Sequence, residues 1–178
     1  MGESTVNDFS VQLSRSLDMD LMWEGIYRAR FPAFVKMETV KDLTLQHAGL
    51  DRLVTVGNGK YGIDEKVRER DYPDILLEYI SRDTTQSPGW IEKPLRCDYI
   101  AYAFHVSQRS YFLPFPFLQA AWKRRKDIWM TYAKNAQLDF RIVPAHNGGG
   151  NAPYITYSLA VPIPILIVAL NQEMYETD

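Results

Sequence analysis

The chain has 178 residues, of which 46% are hydrophobic and 24% are charged, and we expect residues 1–178 to form a single domain. The net charge of −2 gives no global attraction to nucleic acid, so any such binding must come from a local basic patch. A single cysteine, Cys97, excludes an internal disulfide and has no His or Cys partners at zinc spacing.

The amino-terminal part of the chain predicts a cytoplasmic protein that begins with a helix. The first twenty residues are polar and acidic and lack the apolar core of a secretory signal. Residues 19–30 then show helical spacing, with apolar positions that include Met22 and Ile26. Glu24 lies near the middle of this predicted helix.

A tight hairpin is predicted for residues 49–70, with its turn at the Gly-Asn-Gly-Lys run of residues 57–60. Asn-Gly readily adopts the positive backbone angles that such turns need. The hairpin brings Asp51 close to Asp64. Because side chains alternate along a strand, a carboxylate and cations share one face of the second strand, opposite an apolar face that also holds Glu65. The charged face consists of Asp64, Lys66, Arg68 and Arg70.

Further strands are predicted for residues 72–81, 91–104 and 110–115, where apolar, aromatic and β-branched residues cluster. Glu78 either approaches the hairpin from the first of these strands or simply ends it. A helix is then predicted over residues 116–135, opened by a proline at its first position.

That helix carries a compact basic block between its apolar positions. The block could hold a DNA backbone while Trp122 or Trp129 stacks nearby, or it could be an ordinary solvated face. It consists of Lys123, Arg124, Arg125 and Lys126.

The last part of the chain contains a glycine-rich loop and an apolar segment. Residues 148–150 are all glycine but lack the Gly-Lys-Ser/Thr ending of a phosphate-cradling loop, so a flexible loop is predicted. Residues 159–170 are apolar but far short of the ~20 residues that span a bilayer, so no membrane association is expected. Pro162 and Pro164 predict the start of a buried helix that runs toward Glu173.

The hairpin resembles the PD-(D/E)XK nuclease superfamily, in which an acidic residue on one strand is followed on the next by Asp or Glu, any residue, then Lys. Asp51 matches the first acidic residue, Asp64 the second, and Lys66 the lysine. Leu50 stands where the superfamily's nominal proline would be. The similarity covers roughly residues 24–80 and implies a restriction-endonuclease-like core.

A literal Pro-Asp pair also occurs, at Pro73 and Asp74. The acidic and lysine residues that follow it, Glu92 and Lys93, are adjacent and would lie on opposite faces of a strand. Asp51 is therefore the better match for the first acidic position.

The resemblance implies an α/β fold with a central mixed β-sheet flanked by helices on both faces, and hydrolysis of DNA phosphodiester bonds with Mg²⁺ or Mn²⁺. Asp51 and Asp64 would hold the metal as catalytic residues, and Lys66 would position or help deprotonate water. The backbone carbonyl of Glu65 is a candidate third ligand, and Glu24 is a candidate accessory ligand. Nucleic-acid contacts are expected from Arg68, Arg70, Lys123, Arg124, Arg125 and Lys126.

Two alternatives remain open beside this nuclease hypothesis. One is a catalytically inactive relative that keeps the fold and binds nucleic acid or a protein partner. The other is a different α/β protein, for example a virion or host-takeover interaction protein, in which the acidic hairpin is surface. Proteins with this resemblance are common in phages and mobile elements, which is consistent with a phage origin. Cutting both strands of DNA would favour a homodimer.

Overall fold

The computed structural model describes residues 18–148 and 152–176. Most of the first twenty residues, and part of the predicted loop at residues 148–150, lie outside these described residues. The helices are α1 (residues 18–30), α2 (Leu43–His47), α3 (Phe115–Lys134) and α4 (Ile163–Tyr175), with a 3₁₀ helix at Trp90–Glu92. The strands are β1 (Phe34–Thr39), β2 (Arg52–Val56), β3 (Gly59–Arg68), β4 (Asp74–Arg82), β5 (Ser87–Pro88), β6 (Tyr99–Phe104), β7 (Ser110–Pro114), β8 (Arg141–Asn147) and β9 (Tyr154–Pro162).

The strands form two sheets. Sheet A has the order β1-β2-β3-β6-β7 and is mixed, because β3 and β6 are parallel while its other pairs are antiparallel. Sheet B has the order β5-β4-β9-β8 and is antiparallel. The α/β class and a mixed sheet are confirmed, and the structure adds a second, antiparallel sheet beside the mixed one. Because β3 and β6 are parallel, a long connection must join them. β4 lies within that connection and pairs with β9 of sheet B.

The predicted hairpin is confirmed as β2 and β3. Their register runs from Val56 opposite Gly59 to Arg52 opposite Ile63. This leaves a two-residue turn whose positive backbone angle falls on Gly57, at φ +55°. Asn58 is not among the described non-glycine residues with positive φ, so the first turn position carries the unusual angle, as in a type II′ turn.

Each face of sheet A is covered by a different layer. α1 packs on one face through Trp23 and Tyr27, which are buried against Ile63 and the alanines of β6. The opposite face, with Ile100 and Tyr102, joins a larger core that includes α3, α4 and sheet B. Alternate residues of β3 therefore enter two different environments, one beneath α1 and one toward sheet B.

The predicted helix over residues 116–135 is confirmed as α3, but stacking of its tryptophans on a nucleic-acid base is wrong. Trp122 and Trp129 are buried, and Trp122 packs against Tyr79 of sheet B. α3 spreads its apolar residues over the inner core, which leaves mainly charged residues outside.

The predicted closing helix is confirmed as α4, with its prolines at the start. The predicted strand over residues 91–104 is correct only from Tyr99, because a 3₁₀ helix and a loop with Pro94 precede it. No helix in the described part of the chain is long and apolar enough to cross a membrane.

Gly89 controls how closely the 3₁₀ helix approaches sheet B. A Cβ at this position would overlap the Glu78 carbonyl and lie 2.7 Å from the Tyr79 nitrogen, and both groups are backbone. We expect Gly89→Ala to lower the free energy of unfolding by about 2–4 kcal/mol in urea denaturation. Gly25→Ala is the matched control, because Gly25 is at an exposed position of α1 where no atom lies within 4 Å of the added Cβ, and alanine favours helix by ~1 kcal/mol. Equal effects of the two substitutions would contradict this packing account.

Candidate functional site

Asp51 and Asp64 meet where β2 begins and β3 runs past it. Continuing the β2–β3 register by one residue places Asp51 opposite Asp64. Asp51 is held there by its own backbone, because its N–H donates to the Ile63 carbonyl over 2.9 Å and its carbonyl accepts the Val40 N–H. Its carboxylate accepts the Glu65 N–H at 2.9 Å. The structure thus brings Asp51 and Asp64 together, as the sequence of the hairpin predicted.

Lys66 lies on the same face of β3 as Asp64, as strand alternation predicted. Its ammonium group forms an ion pair with the Asp64 carboxylate. The Asp64 side chain is only 5% exposed and that of Lys66 is 29% exposed, so the lysine lies on the solvent side of the carboxylate. The three residues form a compact group, which we call the Asp51–Asp64–Lys66 cluster.

Burial raises the pKa of Asp64 to about 7, although the Lys66 ammonium group opposes that shift. A hydrogen bond with the Asp51 carboxyl and its negative charge raise the pKa further. When both carboxyls are ionised, buried Asp64 and half-buried Asp51 carry two negative charges against the one positive charge of Lys66. Such a pair gains stability either by holding a proton between its oxygens or by binding a cation.

A buried ion pair on the other face of sheet A fixes the positions of the two acidic residues. Arg52, next to Asp51, donates to the carboxylate of Glu65, next to Asp64, over 3.1 Å. Arg52 is 7% exposed and also contacts Asp20 of α1 and Thr39 of β1. One guanidinium therefore joins α1, β1 and β3 directly behind the cluster.

Glu65 points away from the cluster, toward α1. The Tyr27 hydroxyl donates to its carboxylate at 2.9 Å, and burial raises the pKa of Glu65 to about 7 against the opposing charge of Arg52. The Glu65 carboxylate is therefore unavailable to the cluster, and the one group of Glu65 that could serve as an oxygen ligand there is its backbone carbonyl.

Glu24 is not brought to the cluster. It forms an ion pair with Arg28 at 2.6 Å on the solvent side of α1. Because α1 covers the face of sheet A opposite to Asp64, the sheet separates the two carboxylates.

The side of the cluster toward sheet B is lined by residues that had no strong sequence signal. The Lys66 ammonium lies 6.0 Å from the centre of the Trp90 ring. Burial raises the pKa of Glu78, while the Trp90 N–H, Lys93 and Lys66 act in the opposite direction, so Glu78 approaches Lys66 from β4. Burial also raises the pKa of Cys97 to about 12, and the nearby Asp64 carboxyl adds to this shift.

Arg68 and Arg70, which were predicted to share the charged face with Lys66, lie in different environments. Arg68 donates to buried Asp74 at 2.7 Å and stacks 3.6 Å above the Tyr72 ring. Asp74 also accepts a bond from Arg141, so this carboxylate, the literal match to a Pro-Asp pair, has two cationic partners of its own. Arg70 is exposed in the bend after β3.

The basic block of α3 forms ion pairs with acidic residues of neighbouring elements. Arg124 contacts Glu173 and Glu176, and Arg125 contacts Glu173. Lys126 lies 2.5 Å from Glu92. Lys123 donates to Gln119 at 3.3 Å. These contacts join α3 to α4 and to the 3₁₀ helix.

Asp51 and Asp64 are the residues of the cluster that could hold a metal ion, through their carboxylate oxygens. Across residues 18–148 and 152–176, no three His, Cys, Asp or Glu side chains are grouped so that they could hold a metal. Asp51 and Asp64 would therefore supply two carboxylates, which fits Mg²⁺ because it keeps several waters and binds through one or two carboxylates.

Comparison of the chain with protein-family models, with curated proteins and with solved structures found no match.

Asp64→Asn is expected to stabilise the fold at high pH. The pKa of Asp64 rises from 3.8 when exposed to about 7 in the fold, so the folded state holds a proton that the unfolded chain releases between these values. That contribution to stability is complete below pH 3.8 and is lost as pH rises through about 7. The variant removes the loss, and we expect its unfolding free energy to exceed that of the wild type by roughly 1–2 kcal/mol at pH 8.

Urea denaturation at pH 5 and pH 8 measures this difference. Asp127→Asn, at an exposed position of α3, is the control and should match the wild type at both pH values. An Asp64→Asn protein no more stable than the wild type at pH 8 would show that the ionised carboxylate is not destabilised by its surroundings.

Proposed function

We propose that the chain is a Mg²⁺- or Mn²⁺-dependent nuclease that hydrolyses DNA phosphodiester bonds, as the resemblance to the PD-(D/E)XK superfamily implies. The observation that supports this proposal best is the convergence of Asp51 and Asp64 beside Lys66 on one face of the hairpin. A bound cation would offset the negative charge of the two carboxylates, so the repulsion between them would favour metal binding.

A bound Mg²⁺ or Mn²⁺ would polarise the scissile phosphate and make a bound water more acidic. Asp51 and Asp64 would hold it through carboxylate oxygens, and the Glu65 carbonyl would be the third protein ligand. Ligation requires Asp64 to be ionised, and a metal bound to its carboxylate would replace Lys66 as the partner of that oxygen. Lys66 is then available to orient the attacking water and to offset charge on the phosphate.

The water oxygen would form a new bond to phosphorus while the bond to the leaving sugar oxygen breaks, with the proton of the water passing to solvent and the leaving oxygen taking a proton from solvent. The cationic Lys66 favours this step because negative charge on the phosphoryl oxygens grows toward the transition state. Cutting both strands of a duplex would favour a homodimer, which brings two active sites to the DNA.

A catalytically inactive nucleic-acid- or protein-binding module is the second candidate. It is favoured by the shortage of carboxylates at the cluster, because no third acidic side chain among the described residues joins Asp51 and Asp64. In such a module the Asp64–Lys66 ion pair would be a structural contact.

Cleavage assays on supercoiled plasmid, linear duplex and single-stranded DNA with Mg²⁺ or Mn²⁺ decide between the two candidates. We expect wild-type cleavage to need the metal and to fall about 100-fold or more in Asp64→Asn and in Lys66→Ala. Asp98→Asn is the control, since this nearby carboxylate accepts the Gly62 N–H at 2.7 Å and has no assigned part in the reaction. Circular dichroism checks that each variant is folded.

Absence of wild-type cleavage on all three substrates with both metals would contradict the nuclease proposal. Equal activity in Asp64→Asn and the wild type would contradict it too, because the cleavage would then arise elsewhere.

A further inference from the structure

The loop formed by residues 93–96, between the 3₁₀ helix and β6, lies next to the Asp51–Asp64–Lys66 cluster. It begins at Lys93, directly after the 3₁₀ helix whose Trp90 ring faces Lys66. It ends before Cys97, where the Asp98 N–H donates to the Gly62 carbonyl at 2.8 Å, two residues from Asp64. The loop therefore passes the cluster from its lysine to its buried carboxylate.

Hydrogen bonds hold this loop in place from two sides. Gln119 of α3 donates to the Lys93 carbonyl at 2.9 Å and to the Ile91 carbonyl at 3.3 Å. The Arg96 N–H donates to the Ala48 carbonyl at 2.7 Å, just before Asp51. Pro94 further restricts the backbone between these contacts. Lys93 and Arg96 thus extend from a fixed backbone, which lowers the entropy lost when their side chains bind a ligand.

Lys93 and Arg96 differ from most other cations near the cluster in their partners. Within the described part of the chain, neither has a carboxylate within ion-pair distance, although Lys93 approaches Glu78 closely enough to lower its pKa. The cations of β3 and α3 that have an acidic partner are Lys60, Lys66, Arg68, Arg124, Arg125 and Lys126. An unpaired cation can bind an anion without first breaking an internal ion pair.

We propose that Lys93 and Arg96 bind the phosphate backbone of DNA beside the Asp51–Asp64–Lys66 cluster. This inference rests on the proposed nuclease function, because it assigns the local basic patch that a chain of net charge −2 needs to bind a polyanion. Arg96 can hold a phosphate through two parallel N–H bonds, and Lys93 can contribute as a point charge. Contacts on either side of the cluster would orient the strand so that one phosphodiester group faces the two carboxylates.

The test measures DNA binding without cleavage. Fluorescence anisotropy of labelled single-stranded and duplex oligonucleotides is recorded with Asp64→Asn protein in EDTA, at several salt concentrations. Adding Lys93→Gln and Arg96→Gln should weaken binding about tenfold or more at low salt. It should also reduce the slope of log affinity against log salt by roughly 1.4–1.8, the value for two lost phosphate contacts.

The matched control adds Arg30→Gln and Lys134→Gln to the same Asp64→Asn protein, which removes the same charge elsewhere. Arg30 ends α1 on the opposite face of sheet A, and Lys134 lies at the far end of α3, roughly 28 Å along the helix from Phe115. This variant should keep the salt slope of the Asp64→Asn parent. Thermal denaturation of all proteins checks that the loop substitutions leave the fold intact.

Equal affinity and slope in the loop variant and the control would overturn the inference, as would no binding by the Asp64→Asn parent at low salt. Loop-dependent binding in a chain that cleaves none of the substrates would support the inference and refute only the nuclease activity. Metal-dependent cleavage with no effect of the loop substitutions on binding or rate would refute only the inference.

Discussion

The ion pair between Arg52 and Glu65 is the interaction on which the candidate site depends. Arg52 follows Asp51 and Glu65 follows Asp64 in the sequence. Because side chains alternate along a strand, Arg52 and Glu65 lie on the face of sheet A opposite to Asp51 and Asp64. Fixing Arg52 and Glu65 beneath α1 therefore fixes the backbone that presents Asp51 and Asp64. Because Arg52 also contacts α1 and β1, loss of one guanidinium would leave Glu65 buried without its cationic partner, a costly state.

The site combines two sets of charged groups with different roles. Beneath α1, Glu65 pairs with Arg52 and accepts the Tyr27 hydroxyl, and both contacts oppose the rise that burial gives to its pKa. On the opposite face Asp64 pairs with Lys66 and also lies against the Asp51 carboxyl, and burial, followed by that second carboxyl, raises the pKa of Asp64. Perturbed carboxyls of this second kind concentrate at functional sites, where stability is given up for chemistry. Of these two buried carboxyls only Asp64 bonds to another carboxyl, and for this reason the proposed reactive face is the one that carries the Asp51–Asp64–Lys66 cluster.

The parts of the fold that were predictable are those with local signals. The hairpin followed from its turn residues and alternation, and α3 and α4 from apolar spacing and proline starts. The division into two sheets was not predictable, because the pairing of β3 with β6 and of β4 with β9 depends on residues far apart in sequence. The convergence of Asp51 and Asp64 was predictable because only a two-residue turn separates their strands. The contacts of Arg52, and the carboxylates that pair with the α3 basic block, were not predictable because their partners are far apart in sequence.

Anomalous diffraction from crystals of the protein grown or soaked with Mn²⁺ tests the central claim most directly. We expect a peak within roughly 2.0–2.6 Å of oxygens from both Asp51 and Asp64, the range of bonds between hard cations and oxygen. The peak should be absent from crystals of the Asp64→Asn variant treated in the same way. A wild-type structure in which Lys66 remains paired with Asp64 at saturating Mn²⁺, with no peak between the two carboxylates, would contradict the account.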